Sequence, residues 1–125
     1  MAGSVVKFDD PVTLLNNTCT AMMRRKGKDL SARQLGILLT CYLQRGPHTV
    51  SDLATELNAT KPQITRAVGR LEAFGFLQRK INPSNRRRAV IQRTKKGVGF
   101  LHQLRRTIAD VPEIARFEAG EKVAA

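Results

Sequence analysis

Apolar residues recur at three- and four-residue spacing through most of the chain, and each run is bracketed by residues that start or stop a helix. Asp10 and Pro11 form an N-cap and first helical position, followed by Val12, Leu15, Cys19 and Met22 or Met23 at helical spacing. A first helix is therefore expected to run to Arg24 or Arg25, broken by the cluster Arg24-Arg25-Lys26-Gly27-Lys28. Ser31 and Gln34 have capping-box spacing, and Leu35, Leu38, Leu39 and Tyr42 line one face of a second helix that Gly46-Pro47 stops. Thr49 can cap a third, with Val50, Leu53, Ala54 and Leu57 inward. Asn58-Ala59 gives a short turn into a fourth, where Thr60 and Gln63 repeat the capping box and Pro62 is tolerated in the first turn. Its apolar stripe is Ile64, Ala67, Val68 and Leu71, and Gly75 is placed to end it.

The period then changes. Phe76–Ile81 and Ala89–Thr94 have strand character, separated by Asn82-Pro83-Ser84-Asn85-Arg86-Arg87-Arg88, which predicts a hairpin with a basic tip. Thr94 can cap a last helix with Phe100, Leu101, Leu104 and Ile108 along one side, ended by Pro112; the remainder is weakly helical and turns acidic. Two short helices joined by a tight turn, the second basic, form a helix-turn-helix, and the hairpin makes the unit winged. The expected fold is mostly α, a winged helix of α+β type. Residues 1–125 read as one domain, with 31–97 as the binding lobe and 10–30 and 98–125 as flanking dimerisation helices.

Charge gives this architecture a purpose. The formal net charge is +12, and residues 61–96 hold eleven of the 22 Lys and Arg residues but one of the ten acids, Glu72. One-sided charge of this kind suits a polyanion. Outside the apolar stripe the fourth helix carries Pro62, Gln63, Thr65, Arg66, Gly69, Arg70 and Ala73. These side chains suit a major groove, where Arg pairs with guanine and Gln with adenine; an ordinary amphipathic helix with a solvated basic face has the same pattern. The basic hairpin favours the groove reading, because its arginines suit the narrower minor groove. The expected DNA-binding residues are Lys61, Pro62, Gln63, Thr65, Arg66, Arg70, Arg86, Arg87, Arg88 and Lys95, with Lys95 and Lys96 neutralising phosphate.

These residues resemble the MarR family of winged helix-turn-helix transcription regulators over roughly Leu30 to Gly97. The likeness rests on LSARQLGILL, on TVSDLATELNATKPQITRAVGRLEAFGFLQR and on NPSNRRRAVIQRTKKG. The last is similar to the family's wing signature, an Asp-Pro-x-Asp-x-Arg run followed by a strand ending in Leu-Thr-x-x-Gly. The resemblance implies that Pro83 takes the signature proline, that Arg87 enters the minor groove, and that Thr94 and Gly97 close the motif. It also implies a homodimer on a palindromic operator in double-stranded DNA. Asn82 and Asn85 stand where the family usually has Asp, which removes a carboxylate partner for Arg87. Arg93 replaces an apolar strand residue, so either the wing packs differently or this charge faces DNA.

Other chemistry finds little support. No Cys-x-x-Cys or His-x-x-x-His spacing occurs, and no Gly-rich phosphate loop follows a strand, so neither an enzyme nor a metal or cofactor is expected. Cys19 has two readings: a redox sensor, as in some relatives, or a small buried hydrophobe on the first apolar stripe. No membrane span or signal peptide is apparent, which predicts a protein of the bacterial cytoplasm, associated with the nucleoid. No residue pattern specifies a small-molecule effector. Two alternatives to a regulator are an architectural, nucleoid-associated protein without a gene-specific site, and a module whose terminal helices dock a different protein.

Overall fold

In the computed structural model, residues 10–25 and 29–109 are described, with Arg86 and Arg87 by their backbone alone. The order is α1 (Pro11–Arg24), α2 (Ala32–Leu43), α3 (Val50–Glu56), α4 (Lys61–Ala73), β1 (Leu77–Asn82), β2 (Asn85–Arg93) and α5 (Lys95–Ala109). This is the mostly helical winged arrangement. The expected helix end at Pro112 and the acidic tail lie outside the described residues. The chain divides into two compact units, Leu30–Leu101 and the two flanks, Met1–Asp29 with His102–Ala125.

In the Leu30–Leu101 lobe, local chemistry sets each helix start. Ser31 Oγ accepts from the Gln34 amide at 3.1 Å while Gln34 Oε1 accepts from the Ser31 amide at 2.9 Å. Thr60 and Gln63 do the same for α4 at 3.2 and 3.0 Å, and Thr49 Oγ1 accepts from the Asp52 amide. Such caps are worth about 1 kcal/mol each. Helix α4 ends in a paired closure: Phe76 N donates to Leu71 O and Gly75 N to Glu72 O, with Gly75 at φ +86. Only glycine adopts that conformation without strain.

Ile64, Ala67, Val68 and Leu71 are all buried, as their spacing predicts. On α2 the buried arc differs. Ile37, Leu38, Cys41 and Tyr42 are buried, while Leu35 and Leu39 are only half-buried. The reason is that α2 packs against both α4 and β2, so two neighbours cover a wider arc than one stripe. On α3, Leu53 and Ala54 are buried but Leu57 is exposed, because the helix ends at Glu56 and the chain turns at Asn58, φ +52.

The hairpin is longer on one side than its sequence suggests. Asn82 pairs with Asn85, leaving Pro83-Ser84 as the tip, so the arginines lie on β2 and not in a seven-residue loop. Asn82 Oδ1 accepts from both the amide and the hydroxyl of Ser84 at 2.9 Å, a side-chain turn that closes the chain early. Between Asn82↔Asn85 and Lys80↔Val90, Ile81 alone faces Arg86 to Ala89, a bulge that carries the arginine run. A further backbone bridge joins Ile91 to His48, whose carbonyl accepts from the Ile91 amide at 2.8 Å.

A buried junction ties the wing to the helices. Tyr42 Oη donates to Phe76 O at 2.7 Å and accepts from Thr94 N at 2.9 Å. Thr94 Oγ1 donates to Gly75 O at 2.7 Å and accepts from Gly97 N at 2.9 Å, capping α5. A Cβ on Gly97 would overlap Tyr42 Oη. Phe76 stacks on Phe100 with ring centroids 4.6 Å apart. Arg93, though exposed, folds back onto the end of α2: Nε donates to Cys41 O at 2.9 Å and Nη2 to Gln44 O at 3.3 Å, with the guanidinium over the Tyr42 ring. It thereby serves the open carbonyl end of α2, which has no basic residue in its last turn.

In the flanking unit Asp10 caps α1, accepting from the Val12 amide. The Thr13 hydroxyl, first, and that amide hold its carboxyl below the usual aspartate value. The buried side of α1 is Asn17, Ala21 and Met22, while Val12, Leu15 and Cys19 are exposed, so the expected stripe is largely open. Helix α5 behaves oppositely: Phe100, Leu101 and Leu104 are already buried and Ile108 is half-buried.

Removing the Tyr42 hydroxyl strands buried backbone groups, so Tyr42→Phe is expected to cost about 1–3 kcal/mol. Gly97→Ala, which must displace that tyrosine, should cost more. Urea unfolding of the three proteins measures both differences.

Candidate nucleic-acid interface

The buried stripe of α4 fixes the rotation of the helix, and therefore which side chains face out. Lys61, Pro62, Thr65, Arg66 and Arg70 are exposed and Gln63 is half-buried. The capping box holds Gln63 by its side-chain oxygen, leaving chiefly the amide NH2 group to offer a ligand. Arg70 rests its guanidinium 5.4 Å from the Phe74 ring centroid.

Glu72 is committed to the scaffold. Its Oε1 takes Arg79 Nε at 3.0 Å and Nη2 at 2.9 Å, and its Oε2 accepts from the Arg79 amide at 3.1 Å. This pair fastens β1 to the end of α4 and removes both the only acid and one arginine of the basic stretch. The remaining cations are left without that acid as a counter-charge.

The other expected contact residues lie on two further elements. Arg86, Arg87 and Arg88 occupy the bulged part of β2, with Arg88 exposed, and Lys95 is exposed in the first turn of α5. One basic residue escaped the sequence reading. Arg33, on α2, lines a cleft of about 190 Å³ together with Arg66 and Arg70. It stands alone in an apolar helix, so no charge run or motif marks it; only the packing of α2 on α4 brings the three together.

The thiols differ sharply. Cys41 is buried, and burial pushes its thiol up to about 11, with Arg93 acting downward and Glu56 upward. Cys19 is exposed, so in this chain it is not the buried hydrophobe that its spacing allowed. Among the described residues no group of three or more His, Cys, Asp or Glu side chains is placed to hold a metal ion.

The MarR family model matches residues 30–89. Lys61 to Arg88 fall inside the matched span, and Cys19 and Lys95 outside it. The transcriptional regulator Tm0710 from Thermotoga maritima is 28% identical, with a TM-score of 0.58; the match covers 74% of this chain and 65% of that one. The chain thus spans slightly under two thirds of that regulator. YusO from Bacillus subtilis shares the fold at 19% identity and a TM-score of 0.65, covering 86% and 72% of the two chains. The transcriptional repressor CouR, solved bound to a 23-mer DNA duplex, shares it at 21% identity and a TM-score of 0.64, covering 98% and 82%. No curated protein matches at the sequence level.

The contrast between the two thiols gives a direct prediction. With its thiol near 11, Cys41 is about one part in a thousand thiolate at pH 8 and is shielded besides. A thiol reagent should therefore leave Cys41 of the native protein unmodified and reach it only after denaturation. Mass spectrometry of the labelled chain distinguishes the two cases.

Proposed function

We propose that the protein is a transcription regulator that binds a palindromic operator in double-stranded DNA as a homodimer. The observation that carries this reading is the outward face of α4, rigidly registered by four buried apolar residues and free of acid on its exposed side. Arg66 and Thr65 are the residues for base edges, with Pro62 and Lys61 at the helix start. Gln63 contributes less to base discrimination than its residue type suggests, because its oxygen already serves the cap. Arg87 reaches the minor groove from the wing, flanked by Arg86 and Arg88, and Lys95 neutralises phosphate. The DNA-bound state of CouR supports the assignment by analogy of fold. The working compartment is the bacterial cytoplasm; no helix among the described residues is long and apolar enough to cross a membrane.

The exposed face of α1 supports the dimer. Val12 is 71% exposed, Leu15 60% and Met23 77%, an apolar surface that a soluble protein usually covers. A twofold partner also places two recognition helices about 34–36 Å apart, one DNA turn, which a single module cannot do.

If this assignment holds, Arg66→Ala should alter which operator bases matter, Lys95→Ala should weaken all sequences alike, and Arg87→Ala should cost about 1–3 kcal/mol. Selection from a random duplex pool, followed by titration, reads all three. Uniform loss in the Arg66→Ala variant, with broad genomic occupancy, would instead favour an architectural protein. For the dimer, Val12→Arg with Leu15→Arg should give a folded monomer by light scattering, because both side chains are already exposed. Leu104 is unsuitable for this test, being buried within the single chain.

A further inference from the structure

The cleft between α2 and α4 is chemically unlike a small-molecule pocket. Three arginines line it, Arg33, Arg66 and Arg70, with Ser31, Gln34 and Gln63; Ala67 is the one apolar contributor. Ligand pockets are mostly apolar with few polar groups, and this one reverses the proportion.

No carboxylate among the described residues pairs with any of the three arginines; the ion pair formed by an arginine of this lobe is that of Arg79 with Glu72. Arg33 and Arg66 are exposed, and Arg70 is steadied by the Phe74 ring. Three like charges sharing one cleft repel each other, and a structure retains such repulsion where an anion relieves it. Guanidinium forks match the oxygens of a tetrahedral phosphate better than any other side chain does.

The geometry points to a phosphate clamp: Arg33 of α2 and Arg70 of α4 grip one backbone phosphate of the bound duplex, with Arg66 in the same cleft. This rests on the DNA-binding reading above, though not on any particular operator. The clamp makes α2 a third contact element beside the recognition helix and the wing. It also sets the position of α4 along the groove, because a phosphate held between two helices fixes where the helix axis crosses the backbone.

The test is fluorescence anisotropy on mixed-sequence duplexes over a range of potassium chloride, with wild type, Arg33→Gln and Arg105→Gln. Arg105 is an exposed α5 residue outside the lobe, so its variant controls for the loss of one charge. Arg33→Gln should weaken every duplex about fivefold at 0.15 M salt and flatten the log–log salt slope by roughly 0.9, the signature of one lost phosphate contact. Base preference should not change. Among duplexes carrying a single uncharged methylphosphonate, wild type should show a sensitive position whose effect is reduced in Arg33→Gln, while the positions contacted by other residues respond alike in both proteins. An Arg33→Gln protein that behaves like Arg105→Gln would overturn the clamp while leaving the DNA-binding function intact. A weakened Arg33→Gln protein whose methylphosphonate profile matches that of wild type would overturn the DNA backbone as the source of the phosphate. Wild type that binds no duplex would overturn the function and the clamp together.

Discussion

The hydroxyl of Tyr42 is the point on which the lobe's geometry depends. One oxygen, projecting from the last turn of α2, donates to the strand entering the wing and accepts from the residue leaving it. The two ends of the hairpin are thereby held at one place, and Thr94 passes the constraint on by capping α5 and binding the carbonyl of Gly75. Gly97 leaves room for the arrangement. If this junction loosened, the wing would swing on α4 and the outer faces of the two elements would lose their fixed relation. A buried hydroxyl with both roles satisfied favours one geometry, since each alternative leaves a backbone group unpaired.

Around that scaffold the charges are distributed unequally. Two arginines are committed to structure: Arg79 holds Glu72 at the end of α4, and Arg93 closes α2 and covers the Tyr42 ring. Elsewhere in the basic stretch Lys61, Arg66, Arg70, Lys80, Arg88, Lys95 and Lys96 are exposed. Lys95 and Lys96 even occupy the first turn of α5, where the helix dipole disfavours cations and no acid stands by. A chain optimised for stability alone would not place charge there; one that must meet a polyanion gains affinity from it.

The flanks extend the same division of labour. Helix α5 buries Phe100, Leu101 and Leu104, whereas α1 leaves Val12, Leu15 and Met23 open and buries Asn17 with its Oδ1 unpaired among the described residues. The exposed surface of α1 is thus the apolar area that association can still cover, and it is narrower than the two stripes together.

Features set by short-range forces can be read directly along the chain. Caps at Asp10, Ser31, Thr49 and Thr60, the stripe of α4 and the stop at Gly75 are all legible, because each rests on residues three or four apart or on one backbone torsion. The MarR resemblance was legible for the same reason, in the run from the helix-turn-helix to the wing. Tertiary structure alone decided the remainder. The hairpin closes at Pro83-Ser84 because Asn82 bonds Ser84 and β2 accepts a bulge opposite Ile81, an accommodation no periodicity encodes. Arg93 serves the carbonyl of a residue 52 positions away, so nothing local directs its side chain onto α2. Cys19 and Leu104 lie on similar apolar patterns, yet one is exposed and the other buried, because burial depends on which surfaces meet. Arg33 joins Arg66 and Arg70 for that reason too: helical spacing orders the residues within one helix, and only packing orders one helix against another.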